Sequence, residues 1–191
     1  SIKVPDGPLT SVLQLLKVGD EILISKKSTG TLVVDHLLPG RTLYMISTGT
    51  GLAPFLSLIK DPELYENYER IVLTHGVREI SELAYSDYIQ KVLPDNELIG
   101  DVVKKQLVYY PTVTRESYRN NGRLTDLVRT GKLFTDLDLK YPTLSDDRFM
   151  VCGGSSMLKE FCTLLNKKGF KEARSGKQGH YVIERAFIES N

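Results

Sequence analysis

The chain has 191 residues, 41% of them hydrophobic, which exceeds the about 100–150 residues of a common domain and leaves room for one substantial core and something extra. Its 25 Lys and Arg nearly balance 24 Asp and Glu for a formal net charge of +1, which argues against nucleic acid or another polyanion as a partner. No apolar run approaches the about 18 residues of a membrane span, the N-terminus lacks the basic-then-apolar order of a secretory signal, and Cys152 and Cys162 form neither a CxxC pair nor a zinc pattern; a reducing, cytoplasmic compartment, no membrane and no metal are expected.

In chain order, Ser1-Ile2-Lys3-Val4 alternates like the inside of a strand, so the chain reads as a fragment of a longer one. Asp6-Gly7-Pro8 is a turn, a helical turn or two follows Thr10-Ser11, and residues 21–24 and 31–34 read as short strands. Pro39-Gly40 closes this region and sets a boundary, 1–40 against 41–191. Beyond it strand patterns alternate with helical ones, the signature of βαβ units. Strands are expected over 42–47, 70–75, 106–113, 148–152 and 180–184. Helical faces are carried by Leu52, Phe55, Leu56 and Ile59; by Leu83, Ala84, Tyr88 and Val92; by Leu124, Leu127 and Val128; and by Leu158, Phe161, Cys162 and Leu165. Ser155 or Ser156 would cap the last helix and Gly169 would stop it, while 133–145 is a long connection with room for a small helix. The fold class is α/β, a doubly wound five-stranded parallel sheet.

Ligands of such sheets bind beyond the carboxyl ends of the strands, and there the chemistry-bearing residues gather. The first strand runs into Thr48, Gly49, Thr50, Gly51 and, early in the next helix, Pro54: either a pyrophosphate turn or a mere turn. The second and third strands end near Arg78 and Arg115, and Gly122 precedes Arg123 at a helix start. Singly each arginine suits a solvated surface; together their planar forks suit a phosphomonoester such as the 2′-phosphate of NADP. The fourth strand ends Cys152-Gly153, a thiol beside a ligand or a buried structural one. These endings point to a dinucleotide-sized anionic ligand.

The same residues carry a resemblance. Gly7-Pro8-Leu9-Thr10-Ser11, Gly49-Thr50-Gly51-Leu52-Ala53-Pro54-Phe55, Thr74-His75-Gly76-Val77-Arg78 with Glu82-Leu83-Ala84-Tyr85, Tyr110-Pro111-Thr112-Val113-Thr114-Arg115-Glu116, Gly122-Arg123 and Cys152-Gly153 before Met157-Leu158 resemble, in order and nearly end to end, the bacterial ferredoxin:NADP(+) reductases of the plant-type flavoprotein superfamily. The resemblance implies an antiparallel FAD-binding β-barrel, here only a C-terminal remnant over 1–40, followed by an NADP-binding domain with a C-terminal tail. The family's upstream Arg-x-Tyr-Ser flavin motif has no counterpart in the six residues before Gly7, and Gly154-Ser155 departs from the commoner Ser-Pro. It further implies that residues 7–11 meet the FAD pyrophosphate, that 49–51 meets that of NADP, and that Arg78, Arg115 and Arg123 take the 2′-phosphate. Cys152 would border the nicotinamide, Glu184 would assist proton movement, Ala186 would face the isoalloxazine, and Phe187 would stack near the FAD adenine. The implied activity is FAD-mediated exchange between NADP(H) and a one-electron carrier, ferredoxin or flavodoxin, by a monomer. Lys167, Lys168 and Lys171 form a candidate docking patch or a dipole-favoured helix end. A reductase module of an oxygenase or flavohaemoglobin-like system, and a non-catalytic nucleotide-binding module, are the alternatives.

Overall fold

A computed structural model describes residues 6–27, 30–174 and 176–185. Five parallel strands, β1 (Thr42–Thr48), β2 (Arg70–Val77), β3 (Leu107–Val113), β4 (Asp147–Gly153) and β5 (Tyr181–Arg185), form one sheet in the order β3-β2-β1-β4-β5. The reason is legible in β1, where Leu43, Tyr44, Met45 and Ile46 are all buried: a strand covered on both faces reads as a continuous apolar run. Its alternate residues serve opposite layers. Leu43 and Met45 join Ile71, Leu73 and Phe55 on one face, while Tyr44 and Ile46 join Val72, Phe149 and Phe161 on the other. Registers such as Met45 opposite Leu73 and Met150 keep like faces together across the sheet.

The first layer is built from α2 (Ala53–Leu58), α3 (Pro62–Asn67) and α4 (Gly100–Gln106), preceded in the chain by a short α1 (Thr10–Leu13). The second holds α5 (Leu124–Thr130), α6 (Lys132–Asp136) and α7 (Ser155–Lys167). The helix at α3 went unpredicted although Asp61-Pro62-Glu63 announces it: the Asp61 carboxylate accepts from the Glu63 amide at 3.0 Å and Pro62 sits in the first turn. Helix α7 buries Met157, Leu158, Phe161 and Leu165. The expected serine cap is replaced by Gly154 with no side-chain cap bond, whereas Gly169 does stop the helix. With φ +87, it lets the Gly169 and Phe170 amides donate to the carbonyls of Asn166 and Leu165, a Schellman closure.

Two expectations fail for physical reasons. Residues 83–92 form no single helix: a 3₁₀ turn Ile80–Glu82 and a π-helical turn Tyr88–Val92 flank Tyr85, whose φ of +61 breaks the helical path, and Ile89 and Leu93 are buried in place of Val92. The segments 21–24 and 31–34 form no strands, and no strand precedes β1 among the described residues, so a barrel remnant is not visible there. Ile22, Leu23 and Ile24 are exposed, and strand sequences without partners for their backbone groups have no ladder to join.

The segment around Pro39 is nevertheless pinned to the sheet. The buried Arg148 guanidinium donates to the carbonyls of Leu38, Leu144, Ser145 and Asp147 and also to that of Pro39. Gly40 packs on the Arg148 stem, where a Cβ would meet Cγ at 2.8 Å.

Candidate functional site

In a sheet of this order the chain reverses direction between β1 and β4, leaving a crevice at their carboxyl ends. An open cleft of about 1130 Å³ occupies that edge, and residues from the ends of β1, β2 and β3 and from the start of α7 line it. Two glycines make the crevice possible. A Cβ on Gly51 would collide with the Cys152 carbonyl, and one on Gly153 with the Thr48 hydroxyl and the Met157 methyl. The turns after β1 and β4 therefore touch backbone to backbone. Gly49, by contrast, has φ +52 and open space where its side chain would be, so the cleft floor is bare backbone there, flanked by Thr48 and Thr50.

The rim is cationic. Arg78, Arg115 and Arg123 all line the cleft, each from a different segment. The Arg115 amide donates to the Arg78 carbonyl at 2.9 Å, tying the end of β3 to that of β2. The Glu82 carboxylate accepts from the Arg78 amide at 2.7 Å and the Glu79 amide at 3.0 Å; these backbone donors, Glu79 first, hold it below the usual carboxylate range despite some burial. Glu116 likewise accepts from the Ile80 amide at 2.5 Å. Both acids are thus engaged by backbone close to the arginines. Arg123 is placed by the turn before it, where Gly122 has φ +127 and its carbonyl accepts from the Thr112 hydroxyl at 2.9 Å. Its guanidinium pairs with Glu160 at 2.7 Å, an exposed bridge of the kind an incoming anion readily exchanges.

Other predicted residues lie apart from the cleft. Cys152 is only 2% exposed, and burial, with Glu184 adding to it, pushes its thiol up to about 12; it contributes its carbonyl to the turn packing and stays protonated. Pro54, Gly51 and Gly153 support the floor without lining it. Glu184 binds the preceding segment: its carboxylate accepts from the amides of Thr31 at 2.9 Å and Leu32 at 3.1 Å. Gly7, Pro8, Leu9, Thr10 and Ser11 form a turn and the start of α1, with the Ser11 amide donating to the Gly7 carbonyl at 2.9 Å, away from the cleft. Ala186 and Phe187 lie outside the described residues. Lys168 stands over the Tyr141 ring at 4.1 Å, a partner within the protein. Leu56, expected on a helical face, and Tyr85, Ser81 and Thr125, to which the sequence attached no role, also line the cleft; only the folded edge brings the four together.

A glycine floor at the reversal point of a parallel sheet, with guanidinium groups on its rim, defines a dinucleotide-binding oxidoreductase domain, and a family model described as the oxidoreductase NAD-binding domain matches residues 45–163. The chain is 61% identical over 190 residues to a ferredoxin–NADP reductase of Pseudomonas aeruginosa and 60% identical to one of Azotobacter vinelandii, covering 99% of this chain and 74% of each relative. A crystal structure of a ferredoxin NADP+ reductase from Neisseria gonorrhoeae with bound FAD and NADP superposes with TM-score 0.83 at 28% identity, over 96% of this chain and 72% of that one. The chain belongs to the ferredoxin–NADP reductase family.

Proposed function

We propose that the protein exchanges reducing equivalents between NADP(H) and a one-electron carrier, ferredoxin or flavodoxin, with FAD between them. The observation that carries this reading is the cleft itself, a bare glycine floor facing three arginines. The floor fits a pyrophosphate, because close backbone approach is open at Gly49, where a side chain would meet nothing within 4 Å. Thr48, Gly49 and Thr50 would hold the pyrophosphate, with Gly51, Pro54 and Gly153 shaping the turn. Arg78, Arg115 and Arg123 would clamp the 2′-phosphate, the feature that separates NADP from NAD.

For FAD, the chain offers the turn at 7–11 and Glu184 near the end of β5, together with Ala186 and Phe187. Bound FAD would supply hydride acceptance and one-electron release, chemistry that belongs to the cofactor. The protein's own part is to orient the rings and keep the neighbourhood free of competing proton donors. Cys152, buried behind the cleft, would contribute only packing at the nicotinamide end. We assign residues 1–40 to the flavin-binding unit and 41–191 to the nucleotide-binding unit of a cytoplasmic monomer.

The test is coenzyme preference. Titration of the protein with NADP+ and NAD+ is expected to show tighter NADP+ binding, and Arg123→Ala to remove about ten-fold or more of that preference, the scale of one charge-assisted hydrogen bond. Equal affinity for the two coenzymes in the wild type would sink the reading.

A further inference from the structure

Tyr85 and Asp138 are the two non-glycine residues with a left-handed backbone among those described. Aspartate visits that region readily, and Asp138 lies outside the cleft. Tyrosine does not, yet Tyr85 holds φ +61 with its side chain 53% exposed and lining the cleft near Ala53, Leu56 and Ala84. A strained residue presenting an aromatic ring to a binding cleft points from strain toward function.

The surroundings explain how the position is kept. His75, buried near the end of β2 and opposite Ser47 in the sheet register, lies with Nδ1 3.1 Å from the Tyr109 hydroxyl. Tyr109 packs in the same apolar cluster as Ile89, and Ser86, next to Tyr85, accepts from the Gln90 amide group at 2.8 Å. The Tyr85 carbonyl accepts from the Ile89 amide at 2.9 Å, leading into the π-helical turn Tyr88–Val92, a rare element found often at functional sites. The His75–Tyr109 pair therefore lies between the strand end that leads into Gly49 and the apolar cluster of Ile89, whose amide bonds the Tyr85 carbonyl.

We infer that Tyr85 is a positioning residue for the dinucleotide: its ring stacks on a planar heteroaromatic ring of NADP, and the His75–Tyr109 pair sets that ring against the phosphate floor. The inference rests on the nucleotide reading above and adds to it the residue that aligns one of the ligand's two rings. Adenine and nicotinamide share the required chemistry, a flat π-face.

The experiment is calorimetric titration of the full chain and its variants with NADP+ and with 2′,5′-ADP, which keeps the adenine and 2′-phosphate but lacks nicotinamide. Tyr85→Phe is expected to bind NADP+ within about two-fold of wild type. Tyr85→Gly removes the ring while suiting the left-handed backbone, and is expected to weaken NADP+ about ten-fold with an unchanged or higher melting temperature. A parallel loss for 2′,5′-ADP assigns the stack to adenine, and a loss confined to NADP+ assigns it to nicotinamide; either supports the inference. His75→Gln is expected to reproduce part of the loss. Tyr85→Gly binding as tightly as wild type, or losing binding only in step with melting temperature, overturns it and leaves the nucleotide reading standing. A wild-type chain that binds neither ligand overturns both.

Discussion

Two glycine-bearing turns, at 7–11 and at 49–51, look alike on paper and live in different physical settings. The second is clamped between β1 and β4, where Gly51 and Gly153 leave no room for a methyl group. The first opens a four-residue helix whose neighbours Leu9, Val12 and Leu15 face outward. The difference teaches that a turn becomes a rigid site only when the elements on both sides have partners. The sheet supplies partners on two faces; the stretch before β1 is tied down at Glu184, Arg148 and the Leu37–Gly179 bridge, and elsewhere exposes its apolar side chains.

The contrast breaks most clearly by truncation. Phe55, the fully buried residue of α2, should cost about 3–5 kcal/mol when replaced by Ala, whereas Leu15→Ala, at 72% exposure, should change stability by less than about 0.5 kcal/mol in urea unfolding. A comparable loss at Leu15 would show that its segment is packed in solution. Next comes pH. Burial holds His75 down from the ordinary 6.5 to about 4. As pH falls through 6.5 the unfolded chain takes up a proton that the folded chain refuses, so this site removes stability between about pH 6.5 and 4, by about 3 kcal/mol in all. His75→Gln should flatten that part of the stability profile; an unchanged slope would mean that the ring is charged in the fold. The smallest effect sharpens the contrast at the turn itself: Gly51→Ala should lose about 1–3 kcal/mol through overpacking against the Cys152 carbonyl and weaken NADP+ binding with it. Unaltered thermal unfolding and binding would remove the close approach of the two turns from the account.

Much of the sheet was legible because its residues obey local rules. The apolar runs that became β1, β2 and β4 lie within a residue or two of their expected bounds, and the helical face Leu158, Phe161 and Leu165 repeats as a buried stripe must. The cleft was partly legible: Gly49 and the three arginines announced themselves by residue type at strand ends. Glu82, Glu116 and Tyr85 stood in the motifs without a role: that the two acids brace the rim and the tyrosine presents a ring to it did not show in the sequence. A carboxylate binding a backbone amide 36 positions away, or a tyrosine forced past φ zero, depends on neighbours that sequence order does not bring together.

Composition and periodicity by themselves determined the class of fold and the parallel sheet and pointed to an anionic ligand, since these rest on residue types recurring at short spacing; the family came only from the resemblance that the ordered motifs carry. Only the tertiary structure decided between a ligand-side and a buried Cys152, that Glu184 would bind residues 31 and 32, and that 83–92 would break at Tyr85. Those outcomes depend on close packing and on the satisfaction of buried polar groups, which are properties of residues distant in the chain.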